Sequence, residues 1–76
     1  MSIKAYVLAS VEVGSGAGVV EDLLAMEPVK NTENVTGPFD VIAVVEVDDT
    51  ATLGKLLVSE IETTKGITNT LTCVVT

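Results

Sequence analysis

Apolar residues alternate loosely with polar ones over four stretches of this chain, and they recur at helical spacing over two others. Residues 3–13 are rich in β-branched side chains and read as a strand. Gly14-Ser15-Gly16 interrupts them, and Ser15 is placed to cap a helix running to about Met26. That helix carries an apolar stripe of Val19, Val20, Leu23, Leu24 and Met26, and Pro28 ends it. Residues 29–36 (VKNTENVT) form a polar, extended segment suited to an edge strand, where Lys30 and Glu33 discourage further pairing. After the turn at Gly37-Pro38, residues 39–47 (FDVIAVVEV) make the most apolar strand. Asp48-Asp49-Thr50 then offers caps and favourable negative charge for a second helix, running to about Thr64 with Leu53, Leu56, Leu57 and Ile61 on one stripe. Gly66 stops it, and residues 67–75 form the last strand.

The two halves resemble each other. Val11-Glu12-Val13 recurs as Val45-Glu46-Val47, each before a helix, and Val29-Lys30-Asn31-Thr32 recurs as Ile67-Thr68-Asn69-Thr70, each after one. A repeated βαβ unit points to the α+β, ferredoxin-like βαββαβ sandwich. In that fold two helices cover one face of a four-stranded antiparallel sheet. The first and third strands are expected at its centre, aligned parallel by right-handed crossovers.

Two helices leave the other sheet face bare, yet the central strands are apolar on both sides. Val41, Ala43 and Val45 point one way while Ile42 and Val44 point the other; Val7 and Ala9 oppose Tyr6 and Leu8. Burying each extra side chain is worth roughly 1.5–3 kcal/mol. The expected cover is the sheet of a second subunit, with Tyr6, Leu8, Ile42 and Val44 in the dimer interface.

Composition sharpens this picture. The 76 residues suffice for one domain, residues 1–76, and 47% are hydrophobic although Tyr6 and Phe39 are the only aromatic rings. Small domains usually need a disulfide, a metal or a partner. Cys73 is the single cysteine and there is no histidine, so neither an internal disulfide nor a zinc site can be built, and oligomerisation is left. The net charge of −7, with four scattered lysines and no arginine, argues against direct nucleic-acid binding. No basic segment leads into an apolar run at the N-terminus, and Val41 to Val45 is too short to cross a bilayer, so a cytoplasmic protein is expected.

Several residues are candidates for chemistry. The turn Thr36-Gly37-Pro38-Phe39-Asp40 can bring backbone close to a carboxylate, with Asp40 set to meet an ammonium group; it equally fits a simple hairpin turn with Phe39 in the core. Thr68, Thr70 and Thr72 share one face of the last strand, lining a polar pocket or merely suiting an edge strand. Gly54, inside the second helix, permits close contact with a neighbour or is a tolerated interruption, and Lys55 beside it reads as solvated. Cys73 alternates with Leu71 and Val75 and reads as a buried thiol. Glu21, Asp22, Glu60 and Glu62 read as exposed helix surface, and Gly14-Ser15-Gly16-Ala17-Gly18 lacks the lysine-hydroxyl pair of a phosphate loop. No catalytic, cofactor or metal constellation emerges.

The combination "TGPFDVIAVVEV", "DDTATLGKLLVSEI" and "GITNTLTCVV", in this order, resembles the effector-binding domain of the Lrp/AsnC transcriptional regulators over essentially the whole chain. The resemblance implies dimers paired sheet to sheet, associating into octamers. Amino acids or related metabolites would bind between dimers and regulate amino-acid metabolism. Members carry a preceding helix-turn-helix; this chain starts at the first strand, which implies a stand-alone form that does not bind DNA itself. By the same resemblance the ligand-binding residues are Gly37, Pro38, Phe39 and Asp40 in the turn, Thr70 and Thr72 on the last strand, and the helix position near Lys55. Phe39 stands where tyrosine is commoner in the family, and Pro38 lacks a backbone N–H. The alternatives are a ligand-free module that co-assembles with full-length Lrp/AsnC regulators, or an enzyme of the dimeric α/β-barrel type, for which the absent histidine is unfavourable.

Overall fold

Each strand pairs through the alternation just described, and the computed structural model describes residues 2–76. Strand β1 (Ile3–Val11) is followed by helix α1 (Gly16–Leu24), β2 (Val29–Asn34), β3 (Val41–Val47), helix α2 (Thr50–Leu56) and β4 (Ile67–Val74). The four strands form one sheet in the order β2-β3-β1-β4. Both helices pack on one face, giving the expected ferredoxin-like sandwich.

The central pair departs from expectation in direction. β1 and β3 are adjacent but antiparallel, running from Ile3 opposite Val47 to Ala9 opposite Val41. The reason is the hairpin: β3 reverses from β2, and the crossover through α1 makes β2, not β3, the strand parallel to β1. β3 is then inserted between them.

Alternation along β1 and β3 builds the core. Ala5, Val7, Ala9, Val41, Ala43, Val45 and Val47 face the helices and are buried with Val19 and Leu23 of α1 and Leu53, Leu56 and Ile61 from the second helical segment. Val20, Met26 and Leu57 are partly buried against this cluster. Leu24 is half exposed, because it closes α1 on the rim of the stripe rather than over the sheet. The half-repeat is also imperfect: Val47 is buried in β3, whereas its counterpart Val13 lies beyond β1 and is fully exposed.

The helix ends follow local chemistry. Asp49 caps α2, its Oδ1 accepting the Thr52 N–H at 2.7 Å. Ser15 occupies the cap position of α1 without a side-chain hydrogen bond. The second helix does not continue as a regular α-helix to Thr64. It widens into a π-helical turn over Leu57–Ile61, with the Glu62 N–H donating to the Leu57 carbonyl at 2.8 Å. Gly66, at φ 98°, turns the chain into β4; a Cβ there would stand 2.8 Å from the Ser15 Cβ.

Candidate functional site

The sheet face away from the helices presents a grid of apolar side chains. Tyr6 lies between Val44 and Cys73, and Leu8 between Ile42 and Leu71, in successive cross-strand pairs. Tyr6 is 37% exposed and Leu71 51% exposed. Cys73, expected as a buried thiol, is exposed because it sits in this uncovered grid. Polar residues frame it: Lys4 pairs with Glu46, Ser10 with Asn69, and Glu33 sits beside Ile42. The Lys4 Nζ lies 5.4 Å from the centroid of the Tyr6 ring, a cation–π contact at the frame. An apolar centre with a polar rim is the anatomy of an association surface.

The hairpin turn and the start of β4 lie at one end of the sheet. The Asp40 N–H donates to the Ala9 carbonyl at 2.9 Å, and Thr70 pairs with Ala9 from the other side. Asp40, at the end of the turn, thus lies on the side of β1 opposite to Thr70, about 10 Å away across two strand spacings. Gly37 and Pro38 are exposed and Phe39 is half-buried. The carboxylate of Asp40 is engaged, its Oδ2 accepting the Val11 N–H at 3.0 Å. That bond satisfies β1 where its pairing with β4 is broken by a bulge between Ser10 and Val11.

On the β4 side a cavity of 320 Å³ is lined by Glu62, Ile67, Thr68, Asn69 and Thr70. The Thr68 hydroxyl donates to the Ser10 carbonyl at 3.2 Å, which leaves its oxygen free to accept. Thr72 lies farther along the same face, opposite Val7. Within one subunit the turn does not reach this cavity. Lys55 does not line it either: it is exposed in the last turn of α2, ahead of the π-turn. Gly54 has open space around it rather than a close neighbour in the chain. Glu62 and Asn69 were not singled out as ligands by sequence reasoning; the helical stripe predicted exposure for Glu62 but not its position beside β4. A second cavity, of 240 Å³, lies at the opposite end near Glu27, Lys30 and Asp48. Among the described residues no cluster of three or more His, Cys, Asp and Glu side chains could hold a metal, and no helix is long and apolar enough to cross a membrane.

The fold recurs in known proteins. The family model of the Lrp/AsnC ligand binding domain matches residues 4–76. The crystal structure of FFRP-DM1 superposes with a TM-score of 0.94 at 31% identity, covering 97% of this chain and 99% of that one. The hypothetical protein PHS023 from Pyrococcus horikoshii gives 0.92 at 31% identity, covering 97% and 89%. The transcriptional regulator NMB0573 from Neisseria meningitidis, solved as an L-Met complex, shares the fold with a TM-score of 0.86 at 13% identity; the match covers 97% of this chain and 49% of that one. No functionally curated protein matches the chain. By the family match over nearly its whole length, the chain belongs to the Lrp/AsnC ligand binding domain family.

Proposed function

We propose that this domain is an oligomeric effector-binding module that serves transcriptional regulation of amino-acid metabolism. Its subunits pair through the bare sheet face, with Tyr6, Leu8, Ile42 and Val44 in the dimer interface, and dimers associate further, to an octamer, in the cytoplasm. The effector is an amino acid or related metabolite held between subunits by the turn Gly37-Pro38-Phe39-Asp40 of one and Thr70 and Thr72 of another, near Lys55. The domain performs no catalysis and does not contact DNA itself, in keeping with its net charge of −7.

The observation that carries this reading is the apolar grid left uncovered beside an open polar cavity. Six apolar side chains facing water are costly in a domain this small, and a second sheet removes that cost. The cavity and turn stand apart in one subunit, so a second subunit is what can enclose a ligand. The membership in a ligand-binding family and the L-Met complex of a regulator with the same fold point to the same class of effector. A thermal-shift panel of the twenty amino acids at millimolar concentration tests it, since a ligand at 100-fold its Kd adds about 2.7 kcal/mol. Stabilisation by a subset supports the reading; no response to any of them contradicts it.

A second reading is favoured by one observation, the engagement of the Asp40 carboxylate by the Val11 N–H. Under it the domain binds no effector and instead co-assembles with full-length Lrp/AsnC regulators. Native mass spectrometry of a mixture would then show mixed oligomers.

A further inference from the structure

The cavity beside β4 has a one-sided polarity. Glu62 brings a carboxylate, Thr68 and Thr70 bring hydroxyls from one face of β4, Ile67 and Asn69 complete the lining, and none of these lining residues is a lysine. The position of Glu62 follows from the π-turn. Leu53 and Leu56 are buried, and the next buried residue is Ile61, one position later than an α-helical step of four from Leu56. The π-turn ends on Ile61, which is in the core, and Glu62, immediately after it, lines the cavity. The hydroxyls of Thr63 and Thr64 donate to the Ser59 and Glu60 carbonyls, holding the end of this segment in place. A π-turn gives up regular α-helical hydrogen bonding, and such turns occur frequently at functional sites.

We infer that Glu62 is the selectivity residue of the effector site and that the effector carries a cationic side chain, as a basic or diamino acid does. This rests on the effector-binding reading above and narrows its ligand class. In a chain of net charge −7, a carboxylate at the cavity rim with no lining cation repels an anionic ligand and gains nothing from an apolar side chain. A side-chain ammonium or guanidinium would meet the Glu62 carboxylate and the hydroxyl oxygens of Thr68 and Thr70, which are acceptors suited to several N–H donors. The zwitterionic end of the ligand is left to the turn of the neighbouring subunit.

The test is calorimetric titration of the assembled protein with L-lysine, L-arginine, L-ornithine, L-leucine, L-methionine and L-glutamate, repeated on Glu62→Gln. Glu62 is exposed, so the substitution leaves the core intact. The expected result is binding of the cationic acids in preference to the others, with their Kd raised about tenfold or more in Glu62→Gln, as expected for loss of a charge-assisted contact. Tighter binding of leucine, methionine or glutamate, or cationic binding unchanged in Glu62→Gln, overturns the inference while leaving the effector-binding function standing. If neither these six nor the remaining amino acids bind, the effector-binding function and this inference fall together.

Discussion

The Asp40 carboxylate and the Val11 N–H, 29 residues apart, meet at 3.0 Å where β1 leaves its ladder with β4. The Asp40 backbone adds a hydrogen bond to Ala9, and the Glu12 N–H bonds the Gly66 carbonyl just before β4 begins. The hairpin turn is therefore tied to the end of central β1, and the residue after β1 is tied in turn to the approach to β4. Asp40 acts as a brace for the end of the sheet that holds the candidate site.

Removing that brace should weaken the fold. Asp40→Ala is expected to lower unfolding stability by about 1 kcal/mol, the usual scale for one hydrogen bond. Asp40→Asn keeps an oxygen acceptor and should lose less. Urea unfolding of the two variants at constant protein concentration checks the order.

Gly66 is required by both conformation and space. At φ 98° a non-glycine residue is strained, and a Cβ would press on Ser15 at 2.8 Å and on Val19 at 3.1 Å. Gly66→Ala should cost roughly 2 kcal/mol or more, combining the left-handed penalty with displacement of α1. A fall in the urea midpoint with an unchanged slope would report it.

Thr32 runs the other way. It is buried on β2, 6% exposed, and its hydroxyl has no partner among the described residues. Thr32→Val removes the unpaired oxygen, keeps the β-branched shape and should raise stability by about 1 kcal/mol. Thr32→Ser keeps the hydroxyl, deletes a methyl and should lower it.

Asp49 links the cap of α2 to pH. The Thr52 N–H and then its hydroxyl, with a lesser contribution from the Ala51 N–H, hold its carboxyl below the ordinary value of 3.8, outweighing the opposing effect of desolvation. Because the folded-state pKa is the lower one, the contribution is complete above the unfolded value and is lost as pH falls through the folded value. Asp49→Asn should flatten that part of the acid limb. The check is the urea midpoint of wild type and variant between about pH 5 and pH 2.

How much of this was readable beforehand depends on distance along the chain. The apolar face of β3 and the two-sided apolar pattern of β1 were legible, because alternation is local and Val41, Ala43 and Val45 do go to the helix side. The strand limits were not. Phe39 and Asp40 look like strand by composition, but β3 begins at Val41: the Asp40 backbone bonds Val35 and Ala9, while its carboxylate turns to the Val11 N–H. The π-turn was invisible, since Leu53, Leu57 and Ile61 also satisfy an ordinary helical repeat. Glu62 is exposed, as the stripe implies, but its place beside β4 depends on contacts remote in sequence. The direction of β3 relative to β1 is set by the β2–β3 hairpin and by the insertion of β3 beside β1, which local alternation does not carry. Thr70 was placed at the cavity by sequence, whereas Lys55 and the turn lie outside it, and only a neighbouring subunit could bring them to it.

The uncovered grid makes mutations there specific. Leu8→Asp, set between Ile42 and Leu71, should favour the isolated subunit and lower its stability together, because the same side chains serve both. Glu33→Gln at the frame should leave both nearly unchanged.

Sedimentation equilibrium of the wild-type protein at micromolar concentration bears most directly on the account. It predicts a mass of at least twice the 7.9 kDa subunit, reduced toward one subunit by Leu8→Asp. A cooperatively folded wild-type protein sedimenting as a single subunit would contradict it.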